Sequence, residues 1–160
     1  MLNQETAEKK IRRMALEIAE RNFDKTSLII VGIRENGVHI ARKLSDYLPE
    51  NFSGKISLVE CAMNKKMPTD IRFDQNIDWN DQSIVLVDDV SNSGRTLMYA
   101  LKPLLEKYPA QIETLVLVER SYKKFPIAID YVGLTVATTR EDHIVVDVQD
   151  GEIIGARLNR

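Results

Sequence analysis

Apolar runs alternate with helix-like stretches through most of this sequence, and this alternation constrains the fold more than any other feature. Four runs have the length and apolar character of strands: Ser27–Ile33, Lys55–Cys61, Ser83–Val87 and Ile112–Val118. The first is apolar on both sides, as strands inside a parallel sheet are. Strands that alternate with helices build βαβ units. The sequence therefore predicts an α/β fold whose mostly parallel, twisted sheet carries helices on both faces.

Three stretches have the apolar spacing of helices. In the first, apolar residues recur at i, i+3, i+4 and i+7, and they are Ile11, Met14, Ala15 and Ile18. The second stretch is Gly37–Leu48, and the third is Arg95–Tyr108. We expect a kink or a restart in the third helix at Pro103, because the proline ring removes an internal hydrogen bond.

Two parts of the chain fall outside the alternation. Ala62–Gln82 has little periodicity, and a connection of this length is typical of a lid or another mobile loop. The C-terminal segments Tyr131–Val136, Ile144–Val148 and Glu152–Ala156 predict short β elements, with a turn at Asp150-Gly151 before the last of them.

Composition excludes several classes of protein. The 160 residues include one cysteine, Cys61, and two histidines, too few for an intrachain disulfide or a usual structural zinc site. A net charge of −2 gives no field that favours nucleic acid, and acidic neighbours neutralise the basic cluster at residues 9–13. No run approaches the roughly 18 apolar residues of a membrane span, and no signal segment is recognisable. We expect one domain, residues 1–160, in the cytoplasm and without membrane contact.

The stretch Ile84–Thr96, I-V-L-V-D-D-V-S-N-S-G-R-T, carries the clearest chemistry. An apolar strand ends in Asp88 and Asp89, and small polar residues, Gly94 and a helix follow. A helix N-terminus suits phosphate, and glycine lets the backbone approach it closely. Carboxylates at the end of a strand accept hydrogen bonds from sugar hydroxyls or hold hydrated Mg²⁺. The motif predicts a phosphate site beside a polyol site, because a plain turn would leave two adjacent carboxylates repelling each other.

A second loop, Gly32–Gly37, joins the first predicted strand to its helix. Its glycines have the spacing of a nucleoside-triphosphate P-loop, but Val38 and His39 stand where that motif needs Lys and Ser or Thr. Backbone donors and Arg34 still allow it to bind a second phosphate or a pyrophosphate. An ordinary strand–helix turn is the alternative.

Together these residues resemble the motif with which type I phosphoribosyltransferases bind phosphoribosyl pyrophosphate. Four more segments resemble, in order and rough spacing, the bacterial pyrimidine-operon attenuation regulators that double as uracil phosphoribosyltransferases: Val31–Val38, Leu117–Arg120, Phe125–Gly133 and Ala137–Arg140. The resemblance implies the type I phosphoribosyltransferase fold, with a small β-rich hood formed by residues 120–140 and the N-terminal segment. It also implies transfer of phosphoribose to a nucleobase, with uracil favoured.

The resemblance assigns roles to individual residues. Asp88 and Asp89 would bind the ribose hydroxyls and, directly or through water, Mg²⁺. The 5′-phosphate would lie in the loop of Ser91, Asn92, Ser93, Gly94, Arg95 and Thr96, and the pyrophosphate against Ile33, Arg34, Glu35 and Asn36. Arg120, Tyr131 and Val132 would contact the base. Arg72, in the flexible loop of residues 62–82, would join Asp88, Asp89 and Arg34 in catalysis.

Three residues depart from the purine branch of this family. Asn92 and Thr138 stand where hypoxanthine–guanine enzymes carry acids, and Glu119 stands where they carry a lysine. The loop of residues 62–82 is also shorter than the loop of the regulators and lacks their Tyr-Arg-Asp-Asp run. Two alternatives to a uracil enzyme stay open: an RNA-binding regulator with weak or no catalysis, and a purine or xanthine enzyme. The resemblance further suggests a homodimer or a larger homo-oligomer.

Overall fold

The computed structural model describes residues 1–159, which form nine strands and three α-helices. In chain order these elements are β1 (Leu2–Asn3), α1 (Gln4–Arg21), β2 (Ser27–Ile33), α2 (Asn36–Tyr47), β3 (Lys55–Ala62), β4 (Arg72–Phe73), β5 (Ser83–Ser91), α3 (Arg95–Leu105), β6 (Gln111–Arg120), β7 (Tyr131–Val136), β8 (His143–Gln149) and β9 (Glu152–Asn159). Among these residues no helix is long and apolar enough to cross a membrane.

The predicted α/β architecture is confirmed. A six-stranded sheet has the order β4-β3-β2-β5-β6-β7, in which only the short edge strand β4 runs antiparallel to its neighbour. Successive strand residues alternate between two cores, as the pleat requires. Ile30 and Val85 face the core formed with α1 and α2, whereas Ile29 and Ile84 face the core formed with α3. The parallel strands therefore end together at one edge, with β5 in a central position.

A second sheet of three antiparallel strands has the order β1-β9-β8. It occupies the role expected for the hood but is built from residues 2–3 and 143–159. Residues 131–136, which were expected in the hood, instead form β7, a parallel strand of the main sheet. Gly133 permits this pairing, because a Cβ at this position would lie 2.4 Å from the carbonyl oxygen of Leu117.

Tyr131 and Val132, which the resemblance placed in a hood over the base, lie instead at the amino end of β7 in the main sheet. Tyr131 is fully buried, its hydroxyl donates to Glu113 Oε2 at 2.8 Å, and Arg21 lies 4.7 Å above its ring. Its partner residue in β6 is Leu115, five residues before the end of that strand. Neither residue lines the cavities described below.

The segment expected to be an irregular loop, residues 62–82, is ordered in its second half. β4 pairs with the end of β3, and the rings of Phe73 and Trp79 lie 4.9 Å apart in the α3 core. Asp74 accepts a hydrogen bond from the backbone of Glu60 at 2.8 Å. The part between β3 and β4 that belongs to neither strand is residues 63–71.

Two element boundaries differ from the prediction. β5 runs on to Ser91, so that Asp88 and Asp89 lie inside the strand rather than just beyond it. α3 passes through Pro103 and ends at Leu105 without restarting. The proline lies two residues before the end of the helix, where it removes only one hydrogen bond.

We predict that Tyr131→Phe lowers the free energy of unfolding by about 1–3 kcal/mol, because the buried Glu113 carboxylate loses a donor. Denaturation by urea measures the change. Tyr122→Phe is the matched control, since Tyr122 is partly exposed and contacts Arg140 through its ring. Equal stability of Tyr131→Phe and the wild type would contradict this assignment.

Candidate active site

Two adjacent carboxylates, Asp88 and Asp89, form an acid pair where β5 approaches its carboxyl end. Asp88 is 1% exposed and Asp89 is 8% exposed. They border a cavity of about 260 Å³ whose other walls are the loop after β5, the start of α3 and part of β8. The predicted acid pair and the predicted phosphate loop therefore line one cavity.

The acid pair is electrostatically unfavourable without a cation. Burial and the neighbouring charge of Asp89 raise the pKa of Asp88 well above its ordinary value. Lys65 opposes this effect, since its ammonium lies 3.1 Å from Asp88 Oδ1 and 3.9 Å from Asp89 Oδ1. Burial would lower the pKa of Lys65, but the attraction of the two carboxylates outweighs it and the pKa is raised.

Lys65 is a cavity residue that sequence reasoning missed. The loop was recognised, but no spacing or motif distinguishes Lys65 from the adjacent Lys66. The contact with Asp88 spans 23 residues of sequence, and only folding brings the two side chains together.

The phosphate loop after β5 depends on Gly94. Its φ of 86° is a left-handed conformation that favours glycine, and a Cβ here would lie 2.8 Å from Ile127. The segment after β6 supports the loop, because the backbone N–H groups of Lys124 and Phe125 donate to the carbonyl oxygen of Ser93. α3 begins at Arg95, so the free N–H groups of its first turn adjoin the cavity.

The loop between β2 and α2 lies beside the acid pair and borders a second cavity of about 300 Å³. Its lining residues are Arg34, Glu35, Asn36, Lys65 and Asp89, and the Arg34–Glu35 peptide bond is cis. The Arg34 guanidinium is held by Glu60 at 2.9 Å. Ile33, which was predicted to belong to this site, is fully buried in the α3 core.

Asn36 and Asn92 tie the second sheet to this site. Asn36 Nδ2 donates to Asp89 Oδ2 and to the carbonyl oxygen of Val146, both at 3.0 Å. Asn92 donates to the carbonyl oxygen of Ile144 at 3.4 Å and accepts from its N–H at 3.2 Å. These bonds hold residues 144–146 of β8 against the cavity, which they line. The sequence identified an apolar strand here, but nothing in the pattern indicated which sheet it would join.

Arg72 and Arg120 are not brought to the cavity. Arg72 is exposed in β4 and pairs with Asp70 at 3.0 Å. Arg120 ends β6 but is only 4% exposed, and its guanidinium donates to Thr138 Oγ1 and to the carbonyl oxygen of Thr139, both at 2.7 Å. The Arg120 guanidinium therefore holds Thr138 and Thr139, which follow β7, by hydrogen bonds.

The carboxylates of Asp88 and Asp89 are the groups at this cavity that could bind a divalent cation. Within residues 1–159, no group of three or more His, Cys, Asp or Glu side chains could hold a metal ion. Two carboxylates nevertheless suit Mg²⁺, which usually takes one or two protein carboxylates and completes its shell with water and phosphate oxygens. The acid pair fits Mg²⁺ that arrives together with a phosphorylated ligand.

Comparisons with known proteins agree with this geometry. The family model described as phosphoribosyl transferase domain matches residues 1–151. The bifunctional protein PyrR of Streptococcus pneumoniae is 31% identical over 151 residues, which cover 91% of this chain and 87% of that protein. The hypoxanthine phosphoribosyltransferase of Trypanosoma cruzi has a TM-score of 0.82 at 16% identity and covers 99% of this chain and 94% of its own. A hypoxanthine-guanine phosphoribosyltransferase of Bacillus anthracis has a TM-score of 0.76 at 15% identity, covering 98% and 94%. At these identities the two solved structures show a shared fold.

We predict that Asp88→Asn stabilises the free protein and that the gain grows with pH. Because the folded-state pKa of Asp88 is raised, the folded state holds its proton more tightly than the unfolded chain does. Ionisation of Asp88 therefore costs stability as the pH rises. Urea midpoints measured at about pH 5 and pH 8 should differ more between variant and wild type at the higher pH. Asp24→Asn, at an exposed turn, is the control. A gain that is larger at acidic pH would contradict the sign.

We predict that Gly94→Ala destabilises the protein by about 1–3 kcal/mol, through a left-handed backbone and a clash with Ile127. Gly151→Ala is the matched control, because its φ of 79° is similar but a Cβ would have open space apart from His39 Nδ1 at 3.7 Å. The difference between the urea midpoints of the two variants measures the effect of the clash with Ile127, separately from the effect of the left-handed backbone. Equal losses would show that this contact contributes nothing.

Proposed function

This chain belongs to the type I phosphoribosyltransferase family, and we propose that it transfers phosphoribose from phosphoribosyl pyrophosphate to uracil, with release of pyrophosphate. One observation carries the proposal. The acid pair, the phosphate loop and the β2–α2 loop surround two adjoining cavities that share Asn36, Lys65 and Asp89. A ligand with a sugar diol between two phosphate groups matches this arrangement.

Each part of the substrate has a counterpart in the site. The 5′-phosphate would lie at the start of α3, where free N–H groups and the helix dipole attract an anion. The ribose hydroxyls would donate to Asp88 and Asp89. The pyrophosphate would occupy the second cavity beside Arg34, and the base would pack against Ile144–Val146. These three residues replace Tyr131 and Val132 as the proposed base wall.

The reaction is a displacement at the anomeric carbon. A ring nitrogen of the base forms the new bond to that carbon and gives up its proton to water. The bond to the pyrophosphate oxygen breaks, and the pyrophosphate leaves with the electron pair. The protein contributes by fixing both reactants and by placing positive charge beside the leaving group. Arg34, held in place by Glu60, lies at the second cavity for this purpose. Mg²⁺, when bound, would add further positive charge on the pyrophosphate.

The preference for uracil over purines is supported by the three residues that differ from the purine branch. In this structure each of the three side chains forms a contact within the protein. Asn92 holds β8, Glu119 forms an ion pair with Lys123, and Thr138 accepts a hydrogen bond from Arg120. None of the three side chains is left to read a purine in the way that the purine enzymes do. The similarity to PyrR supports the same preference.

RNA binding gains no support from the basic cluster on α1. Lys9 pairs with Glu5 at 3.0 Å, Arg13 pairs with Glu17 at 3.1 Å, and Arg12 lies over the ring of Tyr47. Two of the four cations in this cluster are therefore paired with carboxylates of the same helix. The proposal also includes magnesium dependence, a cytoplasmic location and a homo-oligomeric state. These three parts rest on membership of the family.

Pyrophosphate release from phosphoribosyl pyrophosphate and Mg²⁺, measured with uracil, hypoxanthine, guanine, xanthine and adenine in turn, tests the proposal. We expect release with uracil to exceed that with any purine by about a hundredfold or more, since a site built for one hydrogen-bonding pattern rejects another strongly. The double variant Asp88→Asn/Asp89→Asn should release none, whereas Glu5→Gln, on an exposed face of α1, should match the wild type.

Two outcomes would contradict the proposal. Faster release with a purine would make the chain a purine enzyme. Binding of phosphoribosyl pyrophosphate without release for any base would leave a nucleotide-binding protein, and a titration with pyrimidine-leader RNA at two salt concentrations would then test regulation.

A further inference from the structure

We propose that the ammonium group of Lys65 is a built-in counter-ion, which neutralises the acid pair in the free protein and moves to the pyrophosphate when the substrate binds. The proposal rests on the proposed function, because it gives Lys65 a part in binding the same substrate. Lys65 then has two anionic partners in succession, the acid pair in the free protein and the pyrophosphate in the complex.

The first partner is the acid pair. Lys65 Nζ lies 3.1 Å from Asp88 Oδ1 and 3.9 Å from Asp89 Oδ1. The Asp88 side chain is 1% exposed, so it needs a cation more than a surface carboxylate does. Lys65 remains 40% exposed, so water can reach its ammonium. Two other cations line these cavities: Arg34 is engaged by Glu60, and Arg95 lies over the ring of Phe125.

This ion pair occupies the place that a ligand needs. Asp88 Oδ1 already accepts the N–H of Asp89 at 2.9 Å and the ammonium of Lys65. A sugar hydroxyl or a metal-bound water at the same oxygen must therefore displace Lys65. Any cation that binds the acid pair competes with the side chain, and the competition lowers its apparent affinity.

The second partner lies close by. Lys65 lines the cavity of the β2–α2 loop as well as the cavity of the acid pair. A pyrophosphate in that second cavity carries several negative charges and would meet the ammonium without a long movement of the backbone. Displacement of Lys65 by the ribose end of the substrate is then compensated by attraction to its pyrophosphate end.

The segment that carries Lys65 can move without breaking the main sheet. Residues 64–69 belong to neither β3 nor β4, and their backbone forms local hydrogen bonds. Met67 N donates to the carbonyl of Asn64, Thr69 N to the carbonyl of Met67, and Lys66 N to Asn64 Oδ1. The Met67 side chain is 69% exposed, whereas Pro68 is buried and lies beside Tyr99 of α3. Lys65 is three residues before Pro68 and is exposed, so its side chain can turn while Pro68 stays in place.

Two binding titrations on Lys65→Met test the proposal without any turnover. The first uses Mn²⁺ alone, detected by electron paramagnetic resonance, as a stand-in for Mg²⁺ at the acid pair. The second uses pyrophosphate alone in metal-free buffer, measured by calorimetry. Loss of the counter-ion should tighten Mn²⁺ binding by about fivefold or more and weaken pyrophosphate binding by a similar factor. A variant that had merely lost structure would weaken both.

Lys66→Met is the matched control, because it removes the same charge from an exposed neighbour on the same segment. It should leave both affinities unchanged. Lys65→Gln, which keeps a hydrogen-bond donor but no charge, carries the same test if Lys65→Met does not fold. Unchanged Mn²⁺ affinity, or pyrophosphate affinity that does not fall, would overturn the proposal. The Mn²⁺ titration needs no phosphoribosyl substrate, so its outcome is separate from the base assay that tests the proposed function.

Discussion

Burial of two adjacent carboxylates at the end of a central strand is the constraint around which this molecule is arranged. Burial and the neighbouring Asp89 raise the cost of ionising Asp88, and the protein around the pair supplies partial compensation. Lys65 approaches from the loop after β3, and Asn36 donates to Asp89 from the start of α2. In the free protein this arrangement is less stable than a neutral one would be, and a cationic or hydroxyl-bearing ligand relieves the imbalance.

The second sheet is attached to the first through the core formed with α1 and α2, which includes Ile144, Val146 and Ile153, and through side-chain amides at the site. Asn36 and Asn92 bond to the backbone of β8, while Lys43 on α2 forms ion pairs with Glu8 and Glu152. The wall against which we place the base is therefore positioned by Asn36, at the start of α2, and by Asn92, in the phosphate loop. A change at either asparagine should disturb both the phosphate side and the base side of the site.

The local pattern of apolar and polar residues was enough to predict most of the fold. Buried parallel strands are continuous apolar runs, so the four central strands were predicted to within a few residues, and the acid pair with its following helix start was recognised as one motif. Prediction failed where a contact joins distant segments. Tyr131 and Val132 were placed in the hood, because their sequence does not show that β7 joins the parallel edge of the main sheet.

The sequence by itself determined the α/β architecture and the turn after β5, since apolar periodicity, adjacent carboxylates and a glycine before a helix act over neighbouring residues. Only the tertiary structure decided which side chains complete the site. Lys65 reaches Asp88 across 23 residues, and Asn92 reaches Ile144 across 52. Long-range hydrogen bonds and ion pairs depend on how strands and loops are stacked in space, and the order of residues along the chain carries no separate signal for them.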